Sequence, residues 1–195
     1  MAFKLTVLGC SSATPTLLRH SSAQVLNVNE RLFLIDCGEG AQMQMRKFKI
    51  KFQRIDHIFI SHLHGDHYLG LMGFLFTLHL LGRVKEMHVY SNVALREIID
   101  LQLKASNTTM LFPLVYHDVD SSAESVLYDD EKIKIISFPL DHRIPTTGFV
   151  FIEKPRERKM RKDVISHLDI PIEEFSNIKH GADFIDKNGK LYKNS

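Results

Sequence analysis

The chain has 195 residues, 44% of them hydrophobic and 25% charged, which excludes a disordered, collagen-like or coiled-coil protein and leaves one ordinary globular unit with a core. Its 25 basic residues against 23 acidic leave a net charge of only +2, so the overall balance makes no case for a polyanionic partner. No apolar run reaches the roughly 18–20 residues that a membrane span needs, and Cys10 and Cys37 are too few for a disulfide framework, so we expect a soluble, cytoplasmic protein whose two thiols are small buried hydrophobes.

In chain order, residues 3–8 are β-branched and apolar, a Gly/Ser/Thr/Pro-rich turn follows at 9–15, and apolar runs at 23–28 and 32–35 complete a set of neighbouring strands. Residues 42–52 interleave Met43, Met45, Phe48 and Phe52 with Arg46, Lys47, Lys49 and Lys51, the pattern of a surface helix. The run 57–60 is a strand entering a polar loop, and the nearly all-apolar 68–81 is too long for a strand and reads as a buried helix. A strand at 87–90, a helix at 93–104 and strands at 111–116, 132–138 and 147–152 follow. This alternation predicts a layered α/β protein with helices packed on a mixed sheet.

Beyond Glu153 the composition changes. Lys154, Arg156, Arg158, Lys159, Arg161 and Lys162 place six cations within nine residues, and the apolar residues after them are sparse. Residues 154–195 therefore read as an extension or arm rather than core, with a turn at Asp186-Lys187-Asn188-Gly189.

Of the 11 histidines, three fall in Ser61-His62-Leu63-His64-Gly65-Asp66-His67, directly after a strand. In an extended segment His62 and His64 point to the same side, so both reach one ion, and a sharp turn at Gly65 brings Asp66 and His67 toward a neighbouring position. Imidazole and carboxylate suit Zn²⁺, and Mn²⁺ or Fe also accept them. A catalytic zinc takes three protein ligands, so the segment needs help from elsewhere. His142 and Asp36 both end apolar runs, where α/β proteins build sites. We read His142 as a further ligand and Asp36 as the partner that orients one. His20, His57, His79, His88, His117, His167 and His180 have no such setting and read as surface or satisfied core residues.

His62-Leu63-His64-Gly65-Asp66-His67 is similar to the H-x-H-x-D-H motif of the metallo-β-lactamase fold. The segments Leu8–Thr16, Leu34–Gln42 and Leu69–Gly73, with Asp141-His142 before Gly148-Phe149, narrow the likeness to the ribonuclease Z family, which the chain resembles over residues 3 to about 153. The resemblance implies the α/β metallo-β-lactamase fold, an αββα sandwich, with residues 1–153 as its amino-terminal half. Residues 154–195 would be a protruding basic arm and a truncated end, without the carboxy-terminal half that carries the family's bridging aspartate and late histidine.

The resemblance further implies a zinc-dependent endoribonuclease that removes 3′ trailers from precursor tRNA and leaves a 3′ hydroxyl on the tRNA, working as a cytoplasmic homodimer. Two zinc ions per complete site, with manganese an option, would be held by His62, His64 and His142 and by Asp66 and His67. Asp66 would also accept the proton of the attacking water. Lys154, Arg156, Arg158, Lys159, Arg161 and Lys162 would grip the tRNA body through its phosphates. Because the family's later ligands are not found, we expect the chain as given to be weakly active or inactive on precursor tRNA. Two other readings fit the same residues, namely a metallo-β-lactamase-fold hydrolase of small phosphodiesters and a non-cleaving module that binds metal and tRNA.

Overall fold

The computed structural model describes residues 3–14, 16–155 and 159–194, and the chain forms two compact units, Met1–Glu153 and Lys154–Ser195. In the first unit, β1 (Phe3–Gly9), β2 (Ala23–Val28), β3 (Arg31–Cys37), β4 (Ile55–Phe59), β5 (Met87–Ser91) and β6 (Leu114–Asp118) form one mixed sheet in that order. The β1/β2 and β2/β3 pairs are antiparallel, and the three pairs from β3 to β6 are parallel. A second, antiparallel sheet contains β7 (Ser125–Asp129), β8 (Ile133–Leu140) and β9 (Thr146–Glu153).

Period-two alternation explains why both faces of the first sheet are apolar. Val25, Leu34, Ile58 and Val89 join one core with Leu71, Phe74, Leu75 and Leu78 of α3 (Leu71–Leu80) and Leu95 and Ile99 of α4 (Ala94–Ala105). Their sequence neighbours Leu26, Phe33, Phe59 and Tyr90 face the other way, into a second core shared with Ile133 and Ile135 of β8 and Phe149 and Phe151 of β9. The first unit is thus layered as helices, mixed sheet and second sheet.

Several elements depart from the sequence reading. The helix expected over 42–52 is shorter: α1 spans Ala41–Lys47 and ends in a Schellman turn, with Lys49 N–H donating to Arg46 C=O (3.0 Å) and Ile50 N–H to Met45 C=O (2.8 Å). Lys49 holds the left-handed position of that turn at φ +56°. The single helix expected over 68–81 is broken into α2 (Gly65–Tyr68) and α3. At the break, Gly70 N–H donates to Cys37 C=O (2.9 Å), and a side chain on Gly70 would stand 2.2 Å from the carbonyl oxygen of Gly38. Only one side of α3 is buried, since Leu80 remains 80% exposed. The strand expected at 111–116 starts later, at Leu114, because Pro113 has no N–H to give and offers only its carbonyl, to Met87 N–H (2.9 Å).

Strand β7 was not anticipated. Cys37 is buried as expected, whereas Cys10 is exposed. The second unit is also more structured than an arm of sparse apolar residues suggests. It folds α5 (Lys162–Leu168), α6 (Phe175–Lys179) and a hairpin of β10 (Phe184–Ile185) and β11 (Leu191–Tyr192), with Ile170 and Phe184 buried. The expected turn at 186–189 closes that hairpin, where the Asp186 carboxylate accepts the N–H groups of Asn188 (2.9 Å) and Lys190 (3.0 Å). Among the described residues, no helix is long and apolar enough to cross a membrane.

Candidate metal centre

The histidine segment leaves β4 at the edge shared by the carboxyl ends of the parallel strands, the place where open α/β sheets gather functional groups. Two hydrogen bonds hold its backbone: Ile60 N–H donates to Tyr90 C=O and Thr147 N–H to Ser61 C=O, each 2.9 Å. His64 caps α2 in extended conformation, and Gly65 begins the helix, so the start of α2 makes the turn after His64. Gly38 is obligatory beneath it, because a Cβ there would lie 2.1 Å from the carbonyl oxygen of Asp66.

His62, His64 and His142, the last from the loop between β8 and β9, offer ring nitrogens that all lie within 4.8 Å of one another. His142 Nε2 is 3.1 Å from His64 Nδ1, and the ring centroids are 4.8 Å apart for His62 and His64 and 4.9 Å for His62 and His142. The three sit on a wide cleft of about 800 Å³, which Cys10, Ser11, Ser12 and Ser21 also line. His67 also reaches this cleft, its ring 4.0 Å from that of His62, with Nε2 3.5 Å from Asp66 Oδ2. Asp66 and His67 are thus adjacent to each other and stand beside the three-imidazole group.

Asp36, buried at the end of β3 in a left-handed conformation (φ +55°), gathers four donors. Its Oδ1 accepts Ser61 N–H (2.9 Å), and its Oδ2 lies 2.6 Å from His67 Nδ1 and 3.1 Å from both Ser22 Oγ and Ser61 Oγ. The electrostatics separate the histidines. Burial, reinforced by the nearby His67, pushes His62 down to about 4 and keeps it neutral at pH 7, as a metal ligand must be. Burial also opposes charge on His67, but the hydrogen bond and negative charge of Asp36 outweigh it and raise His67 above its ordinary value. Three converging imidazoles, one of them held neutral, match the donor set of a borderline divalent ion and fit a bound metal.

Ser22 and Ser61 were not singled out in the sequence, and nothing in a lone serine marks it before its spatial partners are known. Of the remaining histidines, His20 is paired with Gln44 at 2.6 Å, and His57, His88 and His117 form a stacked row across β4, β5 and β6. Lys159, Arg161 and Lys162 are exposed in the second unit, where Arg161 forks onto Asp163. Lys154 is half-buried at the start of that unit, and Arg156 and Arg158 lie outside the described residues.

A family model described as anti-Pycsar protein Apyc1 matches residues 3–151. Ribonuclease Z of Bacteroides fragilis is 43% identical over 193 residues, covering 99% of this chain and 64% of that protein. The crystal structure of the short form of human tRNase Z superposes with a TM-score of 0.72 at 37% identity, covering 78% of this chain and 66% of that one. The chain belongs to the family of that model, has the metallo-β-lactamase fold, and is similar to ribonuclease Z proteins over nearly its whole length. A metallo-β-lactamase-fold protein from Bacillus subtilis, at 16% identity and a TM-score of 0.59 over 76% of this chain and 57% of its own, shares the fold alone. The chain spans less than two thirds of the length of the ribonuclease Z relative, so the activity of the whole protein does not transfer with the family.

Proposed function

We propose that the chain carries the metal centre of a zinc-dependent endoribonuclease that removes 3′ trailers from precursor tRNA. The observation that carries this reading is the convergence of His62, His64 and His142, in a chain 43% identical over 193 residues to a ribonuclease Z. His62, His64 and His142 would hold the first ion, and Asp66 and His67 would contribute to a second. Zinc is the choice for an imidazole-rich set, and manganese is also compatible. When bound, zinc supplies Lewis-acid polarisation of a phosphodiester and acidifies water.

The chain's own residues supply the remainder. Asp36 accepts a hydrogen bond from His67 Nδ1–H and so turns the other face of that ring, Nε2, toward Asp66 and the cleft. Asp66 accepts the proton as water attacks phosphorus. As the bond from phosphorus to the 3′ oxygen breaks, that oxygen takes a proton from solvent and Asp66 returns its own to solvent, leaving a 3′ hydroxyl on the tRNA and the phosphate on the trailer. The cleft of about 800 Å³ is lined by His62, His64, Asp66, His67 and His142 together. Lys154, Arg156, Arg158, Lys159, Arg161 and Lys162 would hold the tRNA body by its phosphates. A second copy of the chain as partner and work in the cytoplasm complete the proposal.

A second reading uses the same centre: hydrolysis of a small phosphodiester, for which a cleft of about 800 Å³ has room. Metal content per chain, together with cleavage of a 3′-extended tRNA by the purified chain, tests both. Cleavage at the trailer junction, however slow, with a 3′ hydroxyl product and loss in His64→Ala is the expected result. Hydrolysis of bis(p-nitrophenyl) phosphate alone would select the second reading. A chain that takes up no metal and hydrolyses neither substrate would overturn both.

A further inference from the structure

We propose that Ser61 is a positioning residue through which the single buried carboxylate of Asp36 orients two imidazoles at once, His67 directly and His62 by relay. The proposal rests on the metal-binding reading above and concerns how the donor set is pre-arranged.

The serine backbone is fixed on both sides, its N–H donating to Asp36 Oδ1 and its carbonyl accepting Thr147 N–H, each at 2.9 Å. Ser61 Oγ lies 3.1 Å from Asp36 Oδ2, 3.0 Å from His62 Nδ1 and 3.3 Å from His67 Nδ1. The His67 ring has a shorter partner in Asp36 Oδ2, at 2.6 Å, and an ionised carboxylate only accepts, so the Nδ1 proton of His67 goes to Asp36. A hydroxyl has one proton to give, which leaves two arrangements at Ser61. If it donates to His62 Nδ1, the ring proton of His62 sits on Nε2 and blocks that nitrogen. If it donates to Asp36, His62 Nδ1–H donates to Ser61 Oγ and Nε2 is left free.

The second arrangement satisfies every group. Asp36, only 5% exposed, then receives a charge-assisted O–H bond in a site of low dielectric, and His62 takes the tautomer that ligation requires. Ser61 thus couples the neutral His62 to the same anion that orients His67. Partners of this kind change metal affinity by about 10- to 100-fold when removed.

Ser61→Ala and Ser61→Thr, compared with the unaltered chain, test the assignment through two readouts besides activity. One is Zn²⁺ affinity by competition with a chromophoric chelator. The other is the His62 tautomer in the metal-free protein, from long-range nitrogen–proton correlation spectra. Ser61→Ala should weaken Zn²⁺ binding about 10- to 100-fold and shift His62 away from the Nδ1–H tautomer, while the metal-free chain still unfolds in one cooperative urea transition. Ser61→Thr, which keeps the hydroxyl, should restore both readouts. Full Zn²⁺ affinity and an unchanged tautomer in Ser61→Ala would overturn the proposal, as would a folded Ser61→Thr that behaves like alanine. If the unaltered chain takes up no Zn²⁺, the metal reading fails by itself, and the tautomer of His62 with and without the hydroxyl still decides the role of Ser61.

Discussion

His57 stacks against Phe33 and His88, with ring centroids 5.5 and 4.8 Å away, and burial followed by the proximity of His88 pushes it down to about 4. His117 in the same row is lowered by burial and by His88. A histidine whose folded value is depressed takes up protons more readily when unfolded, so it supports the fold fully above about pH 6.5 and progressively less as the pH falls toward 4. We expect His57 to account for about 2–3 kcal/mol of stability lost across that window, and His57→Phe to flatten the slope of urea-unfolding free energy against pH there. An unchanged slope in His57→Phe would show that His57 is not the group responsible.

The same contrast governs what could be read at this scale. The candidate donors were legible because an alternating His-x-His after a strand fixes a shared direction, and because His142 follows the apolar run that becomes β8. The hydroxyl of Ser61 was not, since its meaning lies in Asp36 and His67, 25 and 31 positions apart from Ser61 and Asp36 respectively. Cys10 was misplaced because its type is usually buried, and the loop that carries it lines an open cleft instead.

Among the elements, α1 shows how a helix end can be missed. A left-handed C-terminal position normally announces itself as glycine, but here the residue is Lys49, so the amphipathic pattern ran on past the true end. An exposed lysine at φ +56° carries backbone strain that glycine does not, and Lys49→Gly should raise the urea midpoint by the equivalent of about 0.5–1 kcal/mol. A lowered midpoint would mean that the added freedom of the unfolded glycine outweighs the relieved strain. The broken helix at Gly70 has a different cause, a backbone-to-backbone approach to Gly38 that no local pattern records. Strand β7 escaped notice because its side chains are half-buried or exposed and lack the apolar alternation that revealed the other strands.

For the molecule as a whole, the layered α/β architecture followed from alternating strands and helices, and the mixed order of the first sheet from antiparallel neighbours preceding the parallel crossovers. The folded content of residues 154–194 was underestimated because two short helices and a two-residue hairpin need few apolar positions. The exposed cations of that unit invite a test at the same scale. Replacing Lys159, Arg161 and Lys162 together with alanine should weaken precursor-tRNA binding, reduce the slope of log affinity against log salt by about 2, and leave hydrolysis of a small diester intact. The reduction is set below three because Arg161 must first leave Asp163. Equal losses on both substrates, or no loss on either, would remove the RNA-binding role from these residues.

His64 and His142 touch across 78 positions of sequence, and the Ser61–Thr147 hydrogen bond fastens the same two regions. Neither contact forms until a long stretch of chain has been looped back, at an entropic expense that grows with its length. The three imidazoles consequently cannot converge before that loop has closed. Nascent chains and partly opened states expose His62 and His64 without His142, a pair too poor to sequester a divalent ion firmly, so tight metal uptake serves as a certificate that the two sheets have docked.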